Sequence, residues 1–133
     1  MPAMSHRSSA RRFGPAVVIA GASLLAACGG DSPSATTASA DADVTVHALA
    51  QLTFDETAYT ATAGDVVIDY VNDSRIVHNL HVLDGDGNDM ASPLEVTSQG
   101  QVDEGTYTLA AGTYTLVCKI AGHSNMTATL TVS

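Results

Sequence analysis

The segment Cys118-Lys119-Ile120-Ala121-Gly122-His123-Ser124-Asn125-Met126 puts a thiolate, an imidazole and a thioether within nine residues. A second imidazole, His78, lies 40 residues upstream of Cys118 in an apolar run. Two nitrogens, one soft thiolate and a weak thioether suit copper, in a trigonal His₂Cys plane with an axial Met. Zinc fits less well, because a thioether adds little to it and closed structural zinc sites use four Cys or His ligands. Each residue taken singly has a plain reading: a buried Cys behaves as a small hydrophobe, and a lone His on a strand is more often a core or rim residue. The joint spacing favours copper. In an oxidising compartment an unpaired Cys118 is a liability unless it is buried or ligated.

Strands must position these side chains. Val44 to Val46, Val66 to Val71, Val77 to Leu83, Tyr107 to Leu109, Thr113 to Val117 and Met126 to Val132 are rich in β-branched and aromatic residues. Turn signals separate them at Ala63-Gly64-Asp65, Asn72-Asp73-Ser74, Asp84-Gly85-Asp86-Gly87 and Ala111-Gly112. No stretch carries a sustained helical period with caps. Short strands spaced this way predict an all-β antiparallel sandwich. Alternation puts His78, Leu80 and Val82 on one strand face, and Tyr114, Leu116 and Cys118 on one face of another. Both strands therefore deliver a metal-capable side chain on their aliphatic side, at the edge of a core. His81 falls on the opposite face from His78 and is expected in solvent; His47 reads as a rim residue.

Residues 43–133 resemble the cupredoxins, the small blue-copper family that includes plastocyanin, azurin and amicyanin. The likeness rests on Val77-His78-Asn79-Leu80, on Ala111-Gly112-Thr113-Tyr114 leading to Cys118, on Gly122-His123, and on Met126 at the start of the last strand. It implies a Greek-key antiparallel β-sandwich of about seven to eight strands that binds one copper ion. By the same likeness His78, Cys118 and His123 are equatorial ligands, Met126 is axial, and Asn79 is the residue that ties the two ligand segments together. Four residues separate Cys118 from His123 and two separate His123 from Met126, a combination of an azurin-like with an amicyanin-like spacing.

The rest of the chain bounds the setting. Of 133 residues, 14 are acidic and five basic, and from residue 28 onward only Arg75 and Lys119 oppose all 14 acids. Such a surface repels phosphate backbones, which argues against nucleic acid as a partner. The length excludes a large multidomain enzyme, and two cysteines exclude a disulfide-stapled miniprotein. Residues 1–27 read as a signal peptide, with Arg7, Arg11 and Arg12 ahead of an apolar run too short to be a membrane span. Arg11-Arg12-Phe13 is a poor match to a twin-arginine export signal. The run ends in Leu25-Ala26-Ala27-Cys28-Gly29, which resembles the lipobox of bacterial lipoproteins and implies a lipid on Cys28. The alternatives are an ordinary cleaved leader with Cys28 incidental, or a Cys28–Cys118 disulfide. Residues 28–42 read as a flexible linker with a root-mean-square span of roughly 20 Å. The location implied is the bacterial cell envelope: lipid-anchored on the outer side of the cytoplasmic membrane, or the periplasm.

Single-copper chemistry also sets limits. A binuclear centre needs a second cysteine in the Cys–His loop, and a multicopper oxidase flanks its cysteine with histidines, whereas Val117 and Lys119 flank Cys118. The expectation is therefore an electron carrier and not an enzyme, cycling Cu(II) and Cu(I) with redox partners that carry basic docking patches. Two alternatives use the same residues: a copper storage or delivery lipoprotein, and a metal-free β-sandwich interaction module. The run from Asp84 to Asp89, with Glu95 at the twelfth place, resembles a calcium loop, but Asp89 stands where that turn needs Gly. It reads as an acidic surface loop.

Overall fold

The computed structural model describes residues 37–133. The segments expected to be a signal peptide and a lipobox, with Cys28, lie outside the described residues. Eight strands follow in chain order: β1 (Val44–Ala48), β2 (Ala58–Ala61), β3 (Gly64–Asn72), β4 (His78–Leu83), β5 (Leu94–Val96), β6 (Val102–Leu109), β7 (Gly112–Val117) and β8 (Thr127–Val132). They form a three-stranded sheet, β1-β3-β6, and a five-stranded sheet, β2-β8-β7-β4-β5. The all-β sandwich expected from the sequence is the fold observed.

Two pairings in it are parallel, β1 with β3 and β2 with β8, so both sheets are mixed. The first has a simple origin. After β1 the chain crosses to the other sheet at β2 before returning at β3, and a parallel neighbour requires such a crossover. Strand β6 is longer than its β-rich half. Val102 to Gly105 is held in the sheet by antiparallel pairing with Val71 to Ile68, despite two acids and a glycine. At Gly105 a Cβ would come within 2.8 Å of a Leu94 side-chain carbon, so a larger residue here would require the Leu94 side chain to shift.

The core lies between the sheets and is built by period-two alternation. Val44, Val46 and Ala48 of β1, Val66, Ile68 and Tyr70 of β3, and Ala128, Leu130 and Val132 of β8 all point inward and are buried. Phe54, which bridges to Ala48, meets the Tyr70 ring edge-on at a centroid distance of 6.2 Å. The segment before β1 is tied to the outer side of the three-stranded sheet. The Ser39 N–H donates to the Asp69 carboxylate, and the Asp43 N–H donates to the Val67 carbonyl at 2.9 Å.

Candidate metal centre

The register of the five-stranded sheet brings the chemistry together. Antiparallel β4 and β7 pair His81 with Val117 and Leu83 with Thr115. Continuing that register past the end of β7 sets Asn79 opposite Lys119, one residue beyond His78 and Cys118 respectively. On the other side, β7 pairs with β8 through Val117 and Thr127, and the ladder extends one step as the Cys118 N–H donates to the Met126 carbonyl at 3.0 Å. His78 thus begins β4, Cys118 follows β7, and Met126 precedes β8.

Between Cys118 and Met126 the loop folds into two successive turns. The His123 N–H donates to the Ile120 carbonyl at 3.1 Å, and the Met126 N–H to the His123 carbonyl at 2.9 Å. The first turn places Gly122 at φ +89°, a left-handed conformation that glycine adopts without strain. This geometry folds His123 back over Cys118.

One nitrogen from each of His78 and His123 and the Cys118 sulfur lie within 4.8 Å of one another. Cys118 Sγ is 3.5 Å from His123 Nδ1, and the two imidazole centroids are 4.9 Å apart. All three residues are buried, and Met126 beside them is fully buried. Among the described residues Cys118 has no disulfide partner. Nδ1 of His78 is buried and has no hydrogen-bond partner, although Nε2 of the same ring is 2.7 Å from Ser74 Oγ. Burial, and then the neighbouring His123 ring, push His78 below the ordinary imidazole pKa, so the ring is held neutral, as a metal ligand must be. An unsatisfied nitrogen beside a thiol and a second imidazole is what copper with His₂Cys ligation would fill. The donor set fits the ion.

Supporting contacts surround the donors. Asn79 Oδ1 accepts the Lys119 N–H at 2.8 Å, a bond between the segments that carry His78 and Cys118. Ser74 and Asn72 were not singled out in the sequence as part of the site. Asn72-Asp73-Ser74 has the composition of a plain turn, and its only further signal is a hydroxyl four residues ahead of His78. Asn72 is fully buried, and its Nδ2 donates to the carbonyls of Ile76 at 2.8 Å and Val96 at 3.4 Å.

The other candidates sort themselves. His81 does not face open solvent as expected. Its side chain is only 13% exposed, and its Nδ1 is 2.6 Å from Asp89, which also binds Lys119 Nζ at 2.8 Å. The Asp89 carboxylate folds over it and accounts for the difference. His47 is a rim residue, with Nδ1 2.7 Å from Asp73. In the calcium-loop lookalike, the Asp84 carboxylate accepts the Asp86 and Asn88 N–H groups and the Asn88 amide, so it closes its own loop.

No protein-family model and no curated protein sequence matches the chain. Several solved structures are similar. A dithionite-reduced auracyanin from the photosynthetic bacterium Roseiflexus castenholzii is 18% identical, with a TM-score of 0.53 over 68% of this chain and 95% of that one. Auracyanin B is 25% identical, with a TM-score of 0.54 over 73% of this chain and 94% of that one. An amicyanin variant in its reduced state is 21% identical, with a TM-score of 0.55 over 79% of this chain and 95% of that one. The described domain has the cupredoxin fold of these neighbours, and its His-Cys-His-Met set fits a type 1 copper site.

Proposed function

We propose that this cupredoxin-fold domain is a copper electron carrier, in which His78, Cys118, His123 and Met126 would hold one ion. The observation that carries the reading is the buried cluster of two imidazoles and a thiol within 4.8 Å, with one ring nitrogen unsatisfied. When bound, the ion supplies one-electron chemistry between Cu(II) and Cu(I).

The chain's own contribution is to keep the donors in place. Cys118 and Met126 are locked to each other by a backbone hydrogen bond, and Asn79 clamps Lys119 beside Cys118. Donors already assembled need no chain movement to accept either oxidation state, which is what a carrier requires of its protein. His123, 7% exposed, is the donor nearest the surface in exposure terms. Ile76 and Val77, on the approach to His78, are 45% and 46% exposed and offer apolar surface for a partner. The excess of acids supports redox partners with basic docking patches and association that slows as salt rises. The leader and Cys28 support tethering to the bacterial envelope by lipid. Fatty-acid labelling that Cys28→Ser removes tests that part.

The central test is an absorption and electron-paramagnetic-resonance spectrum of the copper-loaded domain. An intense blue colour that Cys118→Ser abolishes is expected, together with reversible reduction and reoxidation while copper is retained. A colourless stoichiometric mixture with intact Cys118 overturns the reading.

A further inference from the structure

The hydroxyl of Ser74 is almost fully buried and touches four polar groups. It lies 2.8 Å from Asn72 Oδ1, 3.4 Å from the Ile76 carbonyl, 3.1 Å from the Ile76 N–H nitrogen and 2.7 Å from His78 Nε2. A serine hydroxyl has one proton to donate and two lone pairs that accept. Where that proton goes decides the state of His78.

Asn72 fixes the answer. Its Nδ2 faces two carbonyl oxygens, those of Ile76 and Val96, so the amide cannot be turned over. Its Oδ1 therefore faces Ser74, accepting the Ser74 backbone N–H at 2.9 Å. Asn72 Oδ1 carries no proton, so the 2.8 Å contact between the two oxygens must hold the proton of Ser74. The Ile76 carbonyl competes for that same proton and supplies none. One lone pair of Ser74 takes the Ile76 N–H. The other faces His78 Nε2, and the only proton left for that 2.7 Å contact belongs to the imidazole.

We propose that Ser74 is the positioning residue for His78: held by Asn72, its hydroxyl acts only as an acceptor toward Nε2, fixes the Nε2–H tautomer, and thereby presents the bare Nδ1 lone pair to the metal. The proposal rests on the reading of the site as a copper centre for its purpose, but the tautomer is a property of the protein alone. A partner that orients the far nitrogen of a ligating imidazole commonly governs metal affinity as well as ring angle. Here that partner is a side chain, so a single substitution can remove it; Ser74→Ala also takes the acceptor from the Ile76 N–H, which Ser74→Thr keeps.

The test uses the metal-free protein with ¹⁵N-labelled histidine at pH about 8, above the ordinary imidazole pKa. The two-bond nitrogen–proton pattern of His78 should report the Nε2–H tautomer alone in the wild type. Ser74→Ala should bring in the Nδ1–H form and weaken copper binding about 10- to 100-fold. Ser74→Thr, which keeps the hydroxyl, should restore both. Thermal melts of the metal-free variants check that each is folded. An Nδ1–H tautomer in the wild type overturns the proposal without any variant being made. So does a folded Ser74→Ala protein whose tautomer and copper affinity are unchanged. A tautomer that shifts in Ser74→Ala while the wild type gives no blue copper spectrum would keep Ser74 as the positioning residue and reject the carrier reading instead.

Discussion

Asn79 Oδ1 accepts the Lys119 N–H at 2.8 Å across 40 positions of sequence. Each residue directly follows a donor, His78 on one side and Cys118 on the other, so this one bond fixes the spacing of the two segments. Met126 closes the opposite side through its carbonyl, which accepts the Cys118 N–H at 3.0 Å. The donor cluster is thus held by β4, β7 and β8 before any ion arrives.

Removing the clamp should cost what a single side-chain-to-backbone hydrogen bond is worth. Asn79→Ala is expected to lower the unfolding free energy of the metal-free domain by about 1 kcal/mol. The urea midpoint should fall with the slope unchanged. The copper-loaded variant should also show a broader resonance spectrum, because the Cys118 segment is freer. A midpoint and spectrum identical to wild type would mean that the ladder alone sets the spacing.

The ease of reading His78, Cys118, His123 and Met126 from sequence has a physical cause. Their chemical types are scarce, and they sit at the ends of strands whose period-two pattern shows which face they occupy. What was illegible depends on distant pairing. β2 (Ala58–Ala61) and β5 (Leu94–Val96) are too short and too ordinary to announce themselves, and the partner of β2, β8, is remote in sequence. Ser74 was illegible for a related reason. Its role exists only because Asn72 turns the residues after β3 back beneath His78. His81 obeyed its predicted strand face, yet a carboxylate from the following loop covered it, which alternation cannot foresee.

Copper should stabilise the native state by mass action, since the donors converge only in the fold. With free ion at 1,000 times the dissociation constant the gain is about 4 kcal/mol. Chelation should return the melting temperature to that of the metal-free protein. Cys118→Ser, measured alongside, should show little or none of the shift. An equal shift in that variant would place the binding elsewhere on the acidic surface.

Met126 is fully buried, and a thioether is a weak donor. Met126→Leu nearly conserves volume, so stability should change by less than about 1.5 kcal/mol. The reduction potential should nevertheless move, because the axial ligand tunes it. An unchanged potential in a folded, blue variant would assign Met126 to packing alone.

Gly105 tests the packing between β5 and β6. A Cβ there meets a Leu94 carbon at 2.8 Å and a Tyr107 ring carbon at 3.2 Å. Gly105→Ala should destabilise the domain by roughly 1–3 kcal/mol through overpacking. Leu94→Ala on the same background should relieve part of that strain, so the two losses should be less than additive. Strict additivity in urea unfolding would show that the contact relaxes without cost.

Asp89 gives the stability of the domain a pH dependence with a definite sign. Its carboxylate accepts from Lys119 Nζ at 2.8 Å and from His81 Nδ1 at 2.6 Å, and these bonds, Lys119's first, hold its pKa below the ordinary carboxylate range. A carboxyl whose folded pKa is depressed stabilises the native state above its unfolded pKa, near 3.9, and loses that contribution as pH falls through the lower folded value. Asp89 and Lys119 are 41% and 40% exposed, so solvent screening keeps the pair's contribution below about 1 kcal/mol. Asp89→Asn should therefore be slightly less stable than wild type at pH about 7, with the gap closing as both are taken below about pH 4. Added salt at neutral pH should narrow the same gap, because the pair is reached by solvent ions. Urea unfolding of both proteins at the two pH values measures it. A gap that stays constant on acidification would show that Asp89 acts by shape, as the cover over His81, and not by charge.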